Sequence, residues 1–280
     1  LSARAPHLSA GPGARGAPLP CNGDPQRNVA LRPCEAAEQS ARVASAFGKF
    51  TLQANQAVDA PALKQALVDF FTGIGVPMMA YHHLPPPGAA DYTSQITVAE
   101  HGFPKAWVQR YLDELHTIDP IPRHALQGTQ SFFWSDAANF DDLSAGERTY
   151  LRELARADFG DGLAIPVFGP FGRGGYVGLG FGRNAPRPGP ETVNLLQSAC
   201  QFGHQEYCRI LFAQHPGCKL SPREAEILTW VARGKSNATI ARILAISNHT
   251  VDTHLRRTFD KLSVQDRVTA ALRGAALGLF

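Results

Sequence analysis

Trp107 and Tyr111 stand four residues apart, so a helix through them puts both rings on one face. Asp119 lies between Ile118 and Pro120, with Trp134 and Gly162 further on. A carboxylate in apolar surroundings needs a hydrogen-bond donor. For the aromatic residues two readings are open, ordinary core packing or the wall of a small-molecule pocket. A second set of polar residues sits near the C-terminus. Val251, Leu255, Phe259 and Leu262 form a narrow apolar stripe on a helix and must pack on its neighbours. His249, Asp252, Thr253, Arg256, Arg257 and Asp260 lie opposite and face outward. Arg256 can donate two parallel hydrogen bonds to a guanine edge, and Asp252 can accept from a cytosine amino group. Lys235, Ser236, Asn237, Thr250, His254, Arg257 and Lys261 suit phosphate contacts. The bland alternative for such a face is plain solvation.

Other chemistries find less support. Cys21, Cys34, Cys200, Cys208 and Cys218 form no C-x-x-C pair and no zinc spacing, which reads as reduced thiols in a cytoplasmic protein. His82, His83 and Asp119 could be imagined as an enzyme site, yet no metal spacing or nucleophile–base grammar accompanies them, so no catalysis is expected. The glycine-rich run before Arg183 lacks the Gly-Lys-Ser/Thr of a phosphate loop. The most apolar stretch, Gly162 to Gly182, is interrupted by Arg173 and broken by glycine and proline, unlike a membrane span.

The elements that must position these residues are legible in outline. Leu63, Ala66, Leu67, Phe70 and Phe71 recur at helical spacing until Gly73. Pro77 to His83 reads as a short strand, Pro104 to Leu115 as a helix, and Phe132 to Ser135 as a short strand. Ser144 and Glu147 form a capping box for a helix carrying Tyr150, Leu151 and Leu154. Leu163 to Phe168 and Tyr176 to Arg183 read as a hairpin about the turn Gly169 to Gly175. Gly178, Gly180 and Gly182 line one face of its second strand, either to leave room for a bound chain or to let a helix approach closely. Pro190 opens a long helix to about Gln214, and 214–218 reads as a linker. Beyond it come four short helices: one opened by the capping box of Ser221 and Glu224 and closed by Gly234, two capped by Ser236 and Ser247, and one over Arg267 to Leu272. The second and third form a helix-turn-helix.

Charge follows this division. The net charge of +3 hides 10 basic against 5 acidic residues over 219–280, and 13 against 16 over 41–218. Residues 1–40 are rich in Ala, Gly, Pro and Arg, show no period, and are expected to be a disordered leader; a basic arm on nucleic acid is the functional alternative. The expected class is α+β: an α/β/α sandwich sensor over 41–213 and an all-α four-helix reader over 219–280.

The run LSPREAEILTWVARGKSNATIARILAISNHTVDTHLRRTFDKLSVQDRVTAA resembles the LuxR-type DNA-binding domain, through Glu224, Leu228, Gly234, Ile240, Ala241, Ser247, Thr250, Val251, His254, Lys261 and Leu262. The resemblance implies base reading at Asp252, Thr253 and Arg256. Asp252 departs from the basic or neutral residue of many relatives; either it reads cytosine or it holds Arg256 in place at i+4. Residues 42–212 resemble the autoinducer-binding domain of the same family through Trp107, Tyr111, Asp119, Trp134 and Gly162. The resemblance implies an N-acyl homoserine lactone whose lactone carbonyl is bound by Trp107 and whose amide donates to Asp119, with Tyr111 and Trp134 as walls. An indole donor and a carboxylate acceptor suit an acyl-amide lactone. Phe103 stands where relatives often carry a hydrogen-bonding tyrosine, and the stretch from Tyr111 to Asp119 is one residue shorter than usual. A cytoplasmic quorum-sensing transcription regulator is implied, without a cofactor or a membrane partner. It would be a homodimer on a roughly palindromic double-stranded DNA site, with RNA polymerase as a further partner. The alternative is a solo LuxR-type regulator that is ligand-independent or binds a non-lactone molecule.

Overall fold

The computed structural model describes residues 33–92, 98–157, 159–214 and 218–280. Its first helix, α1 (Pro33–Gln56), begins well before residue 41. Residues 33–40, expected to belong to the leader, are therefore folded: Ser40 is buried, and its hydroxyl lies 2.9 Å from the Thr192 hydroxyl. The stripe that packs this helix is Ser40, Val43, Phe50 and Ala54. Serine and alanine give it little hydrophobic contrast, so its period is faint in the sequence. The expectations for residues 1–32 and 215–217 fall outside the described residues.

Asp59 caps α2 (Ala60–Gly73), its Oδ1 accepting from the Ala62 amide at 2.8 Å. The strands β1 (Met78–Leu84), β2 (Val98–His101), β3 (Phe132–Phe133), β4 (Gly162–Phe168) and β5 (Gly174–Gly180) form one antiparallel sheet in the order β2-β1-β5-β4-β3. The hairpin turn is tighter than expected: β5 starts at Gly174, after a single 3-10 turn over Pro170–Gly172. Strand β2 was not foreseen, being four half-buried residues at an edge.

Alternation along the strands sends side chains to two layers. Met79, Leu163, Ile165, Val167, Val177 and Leu179 face α1, α2 and the long α6 (Pro190–Gln214). Met78, Ala164 and Tyr176 face the opposite layer, made of α3 (Lys105–Asp113), α4 (Ile121–Gln127) and α5 (Ala145–Arg156). This is the expected sandwich. Helix α4 has no counterpart among the expected elements; Pro120 and Pro122 stand at its start, where the first helical turn tolerates proline. Both bonds of the Ser144–Glu147 capping box are present at α5.

The C-terminal domain has the four expected helices: α7 (Pro222–Ala232), α8 (Asn237–Leu244), α9 (Asn248–Leu262) and α10 (Arg267–Ala276). Ser221, Ser236, Ser247 and Asp266 cap them with their side chains. Val251, Leu255 and Leu262 are buried against Ile227, Leu228 and Ile240, with Phe259 partly buried beside them. Thr258 is also buried, its hydroxyl donating to the His254 carbonyl at 2.9 Å.

Candidate ligand pocket and DNA-reading helix

Between the sheet and α3–α5 lies a cavity of about 60 Å³ lined by aromatic rings, Asp119 and His82. It gathers Phe103, Trp107, Tyr111, Asp119 and Trp134 around one space. The Asp119 carboxylate accepts from the Tyr111 hydroxyl at 2.9 Å, the Tyr150 hydroxyl at 3.1 Å and the Ile121 amide at 2.9 Å. Burial pushes its pKa up to about 6, against the pull of those three donors. Tyr111 is thus more than a wall: it donates to the carboxylate. Burial and the neighbouring Asp119 hold both the Tyr111 and Tyr150 phenols well above their ordinary range, so both stay protonated donors.

His82 Nδ1 is buried without a partner among the described residues, and the buried Trp134 indole N–H has the Tyr176 hydroxyl beside it without forming a well-made hydrogen bond. Burial, with a smaller contribution from His116, pushes His82 down to about 4 and keeps it neutral. Sequence reasoning missed Tyr150, His82 and Tyr176 as pocket residues. Strand alternation carried the signal for His82 and Tyr176, which pair in register across β1 and β5.

Gly162 does not line the cavity; it seats Trp134. A methyl group on Gly162 would stand 2.4 Å from the indole ring. Gly178 and Gly180 play the same part. Added Cβ atoms there would meet Trp134 at 3.2 and 3.3 Å, with the Tyr176 hydroxyl and Met78 closer still. The space expected for an acyl chain or a helix is filled by these side chains. Gly182 instead holds a left-handed φ of 87°. Trp107 packs edge-on against Phe159, with ring centroids 4.9 Å apart.

On α9, Arg256 and Arg257 are exposed, and Thr253 is half-buried with its hydroxyl donating to the His249 carbonyl at 2.9 Å. Asp252 does not hold Arg256; it accepts from Asn237 Nδ2 at 2.5 Å and so ties α8 to α9. The Asn237 amide, expected at phosphate, is turned inward to make that bond. Lys261 is likewise committed. Its Nζ lies 2.6 Å from the buried Glu224 carboxylate, which also accepts from the Ser221 amide. His254 Nδ1 is buried. The Ser236 and Thr250 hydroxyls are engaged in helix caps. Lys235 is exposed, with its carbonyl accepting from Arg267 at 2.6 Å. Of the expected DNA contacts, Arg256, Arg257 and Lys235 are exposed cations, and Lys261 is exposed along its stem with its ammonium on Glu224.

A sensor sandwich with a ring-lined pocket, joined to a helix-turn-helix, defines a ligand-responsive DNA-binding regulator. Residues 59–207 match the autoinducer binding domain, and residues 219–273 match the bacterial regulatory proteins of the luxR family. The chain belongs to this LuxR family of quorum-sensing transcription regulators. It is 28% identical to the quorum sensing-dependent transcriptional regulator RpaR of Rhodopseudomonas palustris over 226 residues, covering 80% of this chain and 90% of RpaR. It is 32% identical over 182 residues to the HTH-type transcriptional regulator y4qH of Sinorhizobium fredii, covering 64% of this chain and 55% of that relative, so it spans about half of y4qH. The crystal structure of Escherichia coli SdiA superposes with a TM-score of 0.63 at 25% identity, covering 84% of this chain and 98% of SdiA.

Proposed function

We propose that the cavity between the sheet and α3–α5 binds an N-acyl homoserine lactone and that the liganded protein is a homodimeric, cytoplasmic transcription regulator on palindromic DNA. The carrying observation is the presence, in one cavity, of the Asp119 carboxylate and the buried Trp134 indole, whose N–H makes no well-formed hydrogen bond and has only the Tyr176 hydroxyl beside it. The first accepts an amide N–H, and the second seeks a carbonyl oxygen. Trp107 supplies a second indole donor for the lactone carbonyl, and Phe103 and Tyr111 close the walls. A space of about 60 Å³ holds roughly two water volumes. The ligand therefore selects a state in which α3–α5 stand further from the sheet, and its binding free energy stabilises that state. Arg256 reads a base, while Arg257 and Lys235 meet phosphates in the adjoining backbone. RNA polymerase is the expected downstream partner.

Thermal melting of the full chain with lactones of graded acyl length tests the ligand. Concentration-dependent stabilisation that is lost in Asp119→Asn supports the reading, and an unmoved Tm across the series sinks it. The tight cavity and Phe103 also support a second reading, a regulator that needs no ligand or takes a non-lactone molecule. Undiminished DNA binding by ligand-free protein would select it.

A further inference from the structure

The sheet has a second cavity, on its other face. It lies between α2, α6 and β1 and measures about 320 Å³, some five times the space around Asp119. Its walls are mostly apolar, with Leu63, Leu67 and Phe71 from α2 and Met79 from β1. The polar part is small. The Tyr81 hydroxyl lies 2.7 Å from His204 Nδ1 and 3.2 Å from His83 Nδ1, so these groups satisfy one another. Two further polar side chains line the cavity, the half-buried Tyr207 and the exposed Lys64, and neither is tied into the Tyr81–His204 cluster by a hydrogen bond. Lys64 is exposed and yet lines the cavity, so its stem forms part of the wall and its charge sits at the mouth.

We propose that this cavity is a second small-molecule site, for a medium-chain carboxylic acid, with the carboxylate at Lys64 and Tyr207 and the chain against Leu63, Leu67 and Phe71. The chemistry follows from the lining. An apolar pocket with a cation at its mouth favours a monoanionic amphiphile, since the ammonium attracts a carboxylate held at the rim and a polyanion cannot bury its further charges. At roughly 30 Å³ per small group the volume takes about ten heavy atoms, the size of octanoate. This site is separated from the Asp119 cavity by the sheet itself and does not depend on what occupies that cavity.

Calorimetric titration of the full chain with sodium octanoate, below its micellar range, tests the proposal. Saturable binding is expected, weakened at least tenfold by Lys64→Gln, retained by Lys64→Arg, and at least tenfold weaker for octanol. Ala99→Phe, beside Tyr81 on the edge strand, should fill the cavity and abolish binding. Lys64→Gln changes an exposed residue and stays informative if Ala99→Phe folds poorly. Leu154→Phe, which narrows the cavity around Asp119, should leave octanoate binding unchanged. Absence of saturable binding overturns the proposal, as does binding that ignores Lys64→Gln and is lost in Leu154→Phe.

Discussion

The Arg173 guanidinium donates through Nη1 to the Ala276 carbonyl at 2.7 Å, joining the β4–β5 hairpin to the last turn of α10. Arg173 is 3% exposed. Its remaining nitrogens grip Asp91, with Nη2 donating to Oδ1 at 2.7 Å and Nε to Oδ2 at 3.3 Å, and its Cζ lies 4.6 Å from the Phe212 ring centroid. A cation at a helix C-terminus meets the negative end of the helix dipole. Arg273 of α10 returns the contact, donating to the Gly88 carbonyl at 3.1 Å. The DNA-reading domain is thus held to the sensor by two arginines on carbonyls.

Arg173→Ala leaves Asp91 largely buried with only His83 beside it, and breaking a buried pair in this way costs about 3–5 kcal/mol. Chemical denaturation of the full chain should show that loss. Limited proteolysis should show faster cleavage between the domains, whereas Arg173→Lys should restore little because it cannot fork onto Asp91. Unchanged stability in Arg173→Ala would assign the docking to other contacts.

Asp119 sets a pH dependence of known sign. Its folded pKa, about 6, lies above the ordinary carboxylate value, so the folded state holds a proton that the unfolded state has released. Stability of the ligand-free protein should therefore fall as pH rises from about 4 through 6, and Asp119→Asn should flatten that slope. Lactone affinity should run the opposite way, strengthening as pH rises through 6, because the ionised carboxylate accepts the amide N–H more strongly than the neutral acid does. Melting curves between pH 4.5 and 7, with and without lactone, check both.

Gly162→Ala puts a methyl group 2.4 Å from the Trp134 ring, where the strand backbone and a buried indole leave it no room. Overpacking of this kind costs about 1–3 kcal/mol. The variant should melt lower and respond weakly to lactone, while the isolated 219–280 module, which lacks both residues, should bind DNA as before. A normal lactone response in the variant would show that the Trp134 position is not needed.

Arg256→Ala should cost about 1–3 kcal/mol at one base pair and relax preference there. Lys261→Met should behave differently, since Lys261 neutralises the buried Glu224. Its loss should lower the melting temperature of the C-terminal domain and leave the salt dependence of DNA binding nearly unchanged. Affinity measured against a set of single-base operator variants at two salt concentrations separates the two. A uniform loss over all bases for Arg256→Ala would make it a phosphate contact.

Much of the fold was legible because its punctuation is local. Ser144, Ser221, Ser236 and Ser247 stand where caps form, and each capping bond joins residues three apart. Helix α6 begins at the expected Pro190 and ends at Gln214. Helix α1 was misjudged at its start because serine and alanine make a faint stripe, and strand β2 because an edge strand of four half-buried residues carries no strong alternation. Helix α4 is only seven residues long and has prolines at its start, so it carries little helical period.

For the site, sequence alone determined which residue types gather: a carboxylate, two indoles and a phenol in the sensor, and arginines on an outward helix face. It did so because spacing along a helix or strand is a local property. Tertiary structure alone decided how each is used. Tyr150 reaches Asp119 from 31 positions away, and Lys261 finds Glu224 across 37. Asn237 captures Asp252 from another helix, and Gly162 makes room for an indole from the neighbouring strand's end. A buried donor or charge takes whichever partner the packing brings within about 3 Å, since leaving it unpaired costs more than the bond itself contributes. That partner depends on how layers stack, which no spacing along the chain encodes.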